Sequence, residues 1–307
     1  MEGSTQPLRL GTRGSPLALA QARCVVAAIG AAHGGRVAVE IVPLSTTGDR
    51  VQDRSLASIG GKALWTKELD RALLDGVVDA CVHSMKDVES ERPDALCIPA
   101  MLVRGDVRDR LIGAESLDGL REGARVGTCS PRRSAQLQRL RPDLRIMLLR
   151  GNVETRLRKV AEGEVEATLL AAAGLDRLGL EIGQPIATEY LLPAPGQAAI
   201  GIECRLADAT VSRLIEAISH RDTFDCVATE RAFTRALGGS CASPVAALGT
   251  ITDDKVMLRA QLFSADGSEM IEGDGRFDRG DLRGPAALAH HLLERAPAAV
   301  RMLFEAI

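Results

Sequence analysis

Apolar residues recur along this chain in two patterns, short continuous runs typical of buried strands and longer stretches with the 3.6-residue period of amphipathic helices. In chain order, the first strand-like and helix-like segments are residues 8–12, 17–29, 37–43, 64–74, 77–82 and 96–102. Strands alternating with helices in this way predict a doubly wound α/β unit. Ser15 fits the N-cap of the first helix and Pro16 fits its first turn.

The same pattern recurs after a polar crossing segment at 103–108. Cys129-Ser130-Pro131 follows a strand-like run and repeats the serine cap and the proline of the first unit, and Asn152 fits the cap of a further helix. Residues 193–197 break the pattern, and the apolar run 198–204 is expected to return to the first unit as a strand. The sequence therefore predicts two similar lobes joined by two crossings.

The character changes after about residue 220, where a helix to Leu237 precedes two strands, 245–251 and 256–263, and a last helix over 285–306. The predicted fold class is α/β: two doubly wound, periplasmic-binding-protein-like lobes with a cleft between them, plus a small C-terminal α+β domain. The predicted domains are lobe 1 from 1–102 and 198–219, lobe 2 from 103–197, and a C-terminal domain from 220–307.

Composition excludes several classes of function. A net charge of −3 and only 2% aromatic residues disfavour nucleic acid as a partner. Without an apolar run long enough to span a membrane or a leader-like N-terminus, we expect a cytoplasmic protein. Seven cysteines without a C-x-x-C pair and five histidines without ligand spacing predict neither a disulfide framework nor a metal site.

Asp87 ends the pentapeptide His83-Ser84-Met85-Lys86-Asp87, which follows the buried run 77–82. The crevice beyond the carboxyl ends of the strands is where open α/β sheets bind ligands. Asp87 is therefore placed either to stabilise a developing cation on an anionic substrate or, equally well, to pair with a nearby arginine. Lys86 points to the opposite face unless a turn intervenes.

Arginines stand at the predicted helix starts of both lobes. Arg132 and Arg133 lie in the first turn after Ser130, where the helix dipole disfavours cations unless an anion binds between them. Two solvated arginines are the simpler alternative. Arg13 likewise lies beside the Ser15 cap in the sequence, and Arg150 and Arg156 lie on either side of the Asn152 cap. Because Gly60-Gly61-Lys62 lacks the longer phosphate-loop pattern, carboxylates are the favoured anions.

Cys241 lies in the small-residue loop Gly238-Gly239-Ser240-Cys241-Ala242-Ser243-Pro244 after a helix. This context favours an exposed, reactive thiol, although a loop thiol is more often incidental. Its sequence neighbours include no base that would activate a protease-type nucleophile.

Together these motifs resemble the porphobilinogen deaminase family over nearly the whole chain, from about Leu8 to the final helix. The segments that carry the resemblance are Arg13-Gly14-Ser15-Pro16-Leu17-Ala18, Gly60-Gly61-Lys62, Lys67-Glu68-Leu69, His83-Ser84-Met85-Lys86-Asp87, Arg132-Arg133, Leu149-Arg150-Gly151-Asn152-Val153, Ala173-Gly174-Leu175, Gly201-Ile202-Glu203-Cys204 and Cys241. The resemblance implies an enzyme of tetrapyrrole biosynthesis that joins four porphobilinogen molecules head to tail, releases ammonia at each step and hydrolyses off hydroxymethylbilane.

The resemblance also implies roles for individual residues. Asp87 is expected to be catalytic, with its part in proton transfer open, and Cys241 to carry a dipyrromethane cofactor through a thioether. The expected cofactor contacts are Lys86, Ser84, Thr128, Ser130, Arg132, Arg133 and Arg156. The expected substrate contacts are Arg13, Ser15, Gln21, Arg150, Arg177 and Gln197.

Some positions depart from the family pattern: Cys129, Pro131, Glu89 and Trp65 stand where other residues are common, and Ala198 replaces a common glycine. Ala198 would stiffen the backbone if its dihedral angles suit glycine. The main alternative to a monomeric enzyme is a two-lobe solute-binding module for a polycarboxylate, which would need neither Cys241 nor a third domain. A cysteine-dependent acyltransferase would instead keep a free thiol at Cys241.

Overall fold

A computed structural model describes residues 6–46, 66–238 and 243–305 of the protein. The predicted features at 60–62, 64–65 and 241 lie outside these ranges. The strands are β1 (Leu8–Arg13), β2 (Val39–Leu44), β3 (Ala80–Ser84), β4 (Leu96–Met101), β5 (Asp109–Ile112), β6 (Arg125–Thr128), β7 (Arg145–Leu148), β8 (Ala167–Ala171), β9 (Gln184–Ile186), β10 (Ile200–Arg205), β11 (Val245–Thr252), β12 (Lys255–Phe263) and β13 (Met270–Asp278). The helices are α1 (Pro16–Ala32), α2 (Lys67–Leu74), α3 (Pro131–Leu140), α4 (Val153–Ala161), α5 (Ala172–Arg177), α6 (Ala209–Glu216), α7 (Arg221–Ala236), α8 (Arg283–Arg295) and α9 (Ala298–Glu305).

The first sheet has the strand order β2-β1-β3-β10-β4. β1 is parallel to both β2 and β3, whereas β10 runs antiparallel between β3 and β4. The expected return of the chain to the first sheet after residue 198 is thus confirmed. Helix α1 packs its buried face, including Ala22, Val25 and Ile29, against this sheet.

The second sheet repeats the arrangement of the first, with the order β7-β6-β8-β5-β9. β6 is parallel to β7 and β8, and β5 lies antiparallel between β8 and β9. The predicted α/β class is therefore confirmed, and the likeness of the two units extends to the position of the antiparallel strand.

A third, antiparallel sheet of β11, β12 and β13 packs against the last helices. The sequence predicted one final helix, but the structure has α8 and α9 because Pro297 between them has no N–H to continue the helical hydrogen bonds. β13 was not predicted, since four of its nine residues are charged and two more are glycines.

The described chain falls into two compact units. The first comprises 6–46, 66–104 and 199–224, and the second comprises 105–198 together with the described residues from 225 onward. The C-terminal sheet thus clusters with the second unit, and the division into three domains stays a prediction.

Ala198, the last residue of the second unit before the first unit resumes at Ala199, has a φ of 69°, in the left-handed region that favours glycine. The Arg177 guanidinium donates a hydrogen bond to the Ala198 carbonyl.

Ala198→Gly should raise the free energy of unfolding by about 0.5–1 kcal/mol, because the relief of backbone strain outweighs the added freedom of the unfolded chain. Urea unfolding measures this. Ala199→Gly, next in the chain at a buried position without positive φ, is the control and should destabilise; a less stable Ala198→Gly would contradict the strain.

Candidate active site

One pocket in the first unit gathers five of the predicted site residues. It lies where β1 and β3 end and α1 begins, so the carboxyl ends of neighbouring parallel strands supply its walls. Its lining residues are Arg13, Ser15, Leu17, Ala18, Gln21, Thr66, Val82, His83, Ser84, Asp87 and Val88.

The serine cap predicted for α1 forms one wall of this pocket. Ser15 Oγ accepts a hydrogen bond from the Ala18 backbone N–H at 3.3 Å, and Pro16 follows in the first turn. Gln21, one turn further on, is buried and shares a hydrogen bond of 2.9 Å with Ser84 Oγ at the end of β3. Helix α1 is therefore fixed to β3 at the pocket.

The segment that carries Asp87 is a 3-10 turn over Met85–Asp87. β3 continues through Ser84, two residues beyond the predicted strand end, so this turn rather than strand alternation orients Lys86. Met85 anchors the turn: its side chain is buried against Gly201, and its N–H donates to the Ala199 carbonyl at 3.0 Å. A Cβ at Gly201 would lie 2.1 Å from Met85 Sδ, so any larger residue there would displace the buried Met85 side chain.

The Asp87 carboxylate makes no hydrogen bond or ion pair with any residue in the described part of the chain, although Arg13 lines the same pocket. The side chain is partly exposed. The sequence left two interpretations of Asp87, a carboxylate that stabilises a cation on the substrate and a carboxylate paired with a nearby arginine. The described residues do not show the second of these. A carboxylate left open to a pocket with a guanidinium nearby is arranged to meet a ligand that brings its own positive charge.

In the second unit, the start of α3 is capped as predicted. Ser130 Oγ accepts a hydrogen bond from the Arg133 N–H at 3.4 Å, and the Ser130 N–H donates to Thr128 Oγ1 at 3.1 Å. Ser130 remains partly exposed, whereas Thr128 is buried. The exposed helix start is a favourable environment for an anion.

A carboxylate of the protein itself, Asp109, lies between Arg132 and Arg133, and their expected contacts with an external anion stay a prediction. Arg132 Nη2 donates to Asp109 Oδ2 at 2.8 Å and Arg133 Nη2 to Oδ1 at 2.7 Å, and all three side chains are buried. Burial alone would raise the pKa of Asp109, but the charges of Arg133 and Arg132 and their hydrogen bonds hold it well below its usual range. The carboxylate compensates the unfavourable helix dipole.

Gln197 belongs to the same buried cluster. Its Nε2 donates to Asp109 Oδ1 at 3.0 Å and to the Val107 carbonyl at 2.7 Å, and the side chain has no exposed surface. In this arrangement Gln197 orients Asp109, and its expected contact with the substrate stays a prediction. Arg132, 3% exposed, is similarly enclosed.

The remaining predicted arginines have different surroundings. Arg156, on α4, is partly exposed, donates to the Gly151 carbonyl at 2.9 Å and lies 3.4 Å from Cys129 Sγ. Arg150 is nearly buried, 9% exposed, beside the Asn152 cap of α4. Ser130, Arg156 and Cys129 therefore lie near the start of α3.

Three charged residues in these sites were missed by the sequence analysis: Asp109, Arg92 and Glu203. Asp109, the first residue of β5, stands between the more exposed Arg108 and Arg110, and this alternation of charged residues was the one available signal that Asp109 points inward. Arg92 and Glu203 are joined across 111 residues, and a local pattern does not show such a contact.

Within the described ranges, no group of three or more His, Cys, Asp or Glu side chains is arranged to hold a metal ion. No helix of these ranges is both long and apolar enough to cross a membrane. The described cysteines are all free thiols.

Comparison with known proteins identifies the family. Residues 8–213 match the model "Porphobilinogen deaminase, dipyromethane cofactor binding domain", and residues 224–296 match "Porphobilinogen deaminase, C-terminal domain". A porphobilinogen deaminase of Sphingopyxis alaskensis is 55% identical over 97% of this chain and 96% of its own. One of Nitrobacter winogradskyi is 47% identical over 94% and 93%.

Solved structures show a weaker likeness. The methionine-binding protein MetQ is 14% identical over 73% of this chain and 94% of its own, with a TM-score of 0.45. A likeness of this size carries no inference about function, so it does not favour the solute-binding alternative.

The fold, the pocket and these matches define a transferase of tetrapyrrole biosynthesis. The chain belongs to the porphobilinogen deaminase family, as its motifs indicated. Its reaction is the condensation of porphobilinogen to hydroxymethylbilane, and its cofactor is dipyrromethane.

Proposed function

We propose that Asp87 is the catalytic carboxylate of this hydroxymethylbilane synthase. The observation that supports this role is its open carboxylate in the first-unit pocket. When the aminomethyl C–N bond of porphobilinogen breaks and ammonia leaves with the electron pair, positive charge spreads over the pyrrole ring. Asp87 accepts a hydrogen bond from the pyrrole N–H and stabilises that charge. Asparagine at position 87, with ammonia release as the readout, tests the role.

Arg13 and the residues around it are proposed to bind the substrate carboxylates. Porphobilinogen carries an acetate and a propionate, and a guanidinium pairs with a carboxylate through two parallel hydrogen bonds. The Ser15 hydroxyl keeps its own hydrogen to donate while its oxygen caps α1. Gln21 and Ser84, bonded to each other, hold this wall of the pocket in place.

The donors at the start of α3 fit a polycarboxylate cofactor, because the partly exposed Ser130 hydroxyl lies there with the partly exposed Arg156 guanidinium, 3.4 Å from Cys129 Sγ. We propose that Ser130 and Arg156 hold carboxylates of dipyrromethane, with Lys86, Ser84, Thr128 and Arg133 as further contacts. Arg132 supports them through Asp109. Arg150, Arg177 and Gln197 are proposed to contact the incoming substrate instead. When bound, the cofactor supplies the primer to which substrate units are joined.

Cys241, outside the described residues, is proposed as the covalent attachment point. The intact mass of purified protein should exceed that of the bare chain by one dipyrromethane, and Cys241→Ser should return it to the bare mass. Cys129→Ser is the matched control, since Cys129 is a partly exposed thiol beside Arg156, and it should keep the added mass. An adduct that survives Cys241→Ser would exclude this attachment.

We further propose a monomer in the cytoplasm that does not bind nucleic acid. The free thiols among the described cysteines suit a reducing compartment, and the net charge of −3 gives no general attraction to polyanions. Light scattering coupled to size exclusion tests the monomer, with a dimer mass as the contrary result.

A further inference from the structure

A buried network of charged side chains lies in the first unit around the segment that carries Asp87. Glu203, on β10, receives hydrogen bonds from two directions: His83 Nε2 lies 3.0 Å from its Oε2, and Arg92 donates to its Oε1 at 2.8 Å and to its Oε2 at 2.9 Å. Arg92 also contacts Asp70 and Thr66, which lie earlier in the chain, and Glu89, three residues before it.

The network is shielded from water. Glu203 has no exposed surface, His83 is 5% exposed and Asp70 is 8% exposed. Burial alone would raise the pKa of Glu203, but His83 and Arg92 lower it to about 2 through hydrogen bonds and charge. For Arg92, burial acts to lower the pKa and is outweighed by Glu203 and Asp70, so its pKa is raised. Both partners are therefore fully charged at neutral pH.

The network holds the Asp87 turn from both sides. His83 lies two residues before the turn that begins at Met85, and Arg92 lies five residues after Asp87; both are bonded to the same carboxylate. Glu203 itself lies on β10, the strand that also receives Met85 against Gly201. The segment between His83 and Arg92 is thus fixed at its ends, and Asp87 lies on the partly exposed stretch between them.

We propose that Glu203 and Arg92 are positioning residues, which fix the Asp87 carboxylate where the substrate cation forms. This inference rests on the catalytic role proposed for Asp87. Neither residue lines the pocket, so neither contacts substrate. Misplacement of a reacting group by about 1 Å can cost about 100-fold in rate. Loss of the network should therefore lower kcat, whereas KM, set by the Arg13 side of the pocket, should change little.

The test compares Glu203→Leu with the conservative Glu203→Gln. Glu203→Leu should lower kcat about 100-fold with KM within about twofold, and Glu203→Gln, which can still accept from Arg92, should retain kcat within about tenfold. Assays run well below the unfolding midpoint of each variant, and intact mass checks that the cofactor is attached. If Glu203→Leu does not fold, Arg92→Gln replaces it and is judged by the same split between kcat and KM.

Arg205→Gln is the matched control. Arg205 lies two residues along β10, on the same face, and donates to the carbonyls of Leu73 and Val78, each at 2.8 Å, away from the Asp87 turn. It should lower the unfolding midpoint and leave kcat unchanged. A folded Glu203→Leu variant with the kcat of Arg205→Gln would overturn the positioning role. If Asp87→Asn were itself fully active, the catalytic assignment would fail instead, so the two failures are distinguishable.

Discussion

Asparagine in place of Asp87 is expected to lower kcat by about 100- to 1,000-fold or more, with little change in stability. The side chains have the same shape, but the amide carries no negative charge to oppose the cation left when ammonia departs. Stability should be retained because the carboxylate has no bonded partner among the described residues that the change would leave unpaired. Ammonia release under saturating porphobilinogen measures kcat.

Two variants make the Asp87 result specific. Asp94→Asn removes a carboxylate from an exposed turn of the same unit and should keep the parent kcat. Asp87→Glu restores the charge at a displaced position and should recover part of the activity. Parent-like turnover by Asp87→Asn would remove the catalytic role of this residue, whatever the effect of the other two.

Removal of the Asp109 carboxylate is expected to have the largest effect on stability. Asp109→Ala should lower the free energy of unfolding by about 3–5 kcal/mol, because it leaves the guanidinium groups of Arg132 and Arg133 buried without a counter-charge. Gln197 would lose an acceptor as well. Guanidinium chloride unfolding measures the change. The control is Asp143→Asn, at the partly exposed pair with Arg141, which should cost far less because exposed ion pairs contribute little to stability.

Lowering the pH should weaken the same buried ion pairs of Asp109 with Arg132 and Arg133. The pKa of Asp109 in the folded state is lowered, because the charges of Arg133 and Arg132 outweigh the effect of burial. Its contribution to the free energy of unfolding is therefore fully present above the unfolded-state pKa, and it is lost as the pH falls toward the folded-state pKa. The parent should therefore lose stability below about pH 4 more steeply than an Asp109→Asn variant. If the free energies of unfolding of the parent and Asp109→Asn fell equally steeply with pH in this range, the ion pairs of Asp109 would not be stabilising. An Asp109→Ala variant as stable as Asp143→Asn would contradict their stabilising role as well.

Local signals in the sequence predicted the parts of the sites that depend on neighbours along the chain. Ser15-Pro16 and Ser130-Pro131 both cap helices as expected, since capping involves residues within one turn. The position of Asp87 after a strand was also correct, although β3 extends two residues further, because His83 and Ser84 still pair with β10.

The interior charges could not be predicted in this way. The carboxylate between Arg132 and Arg133 is Asp109, 23 and 24 residues away, and no local period identifies the partner. The contacts of Glu203 with His83 and Arg92 span 120 and 111 residues. Such pairs form only when the sheet order places β10 beside β3, which follows from topology rather than from local propensity.

The late arrival of β10 has a consequence for biosynthesis of the enzyme. Among the described strands, β4 pairs only with β10, and β10 is made only after all the strands of the second sheet. During translation the facing edges of β3 and β4 stay open, and open edges are prone to pair with other chains. The Asp87 turn therefore gains its support from the Ala199 carbonyl and Glu203 only when about two-thirds of the chain has been synthesised.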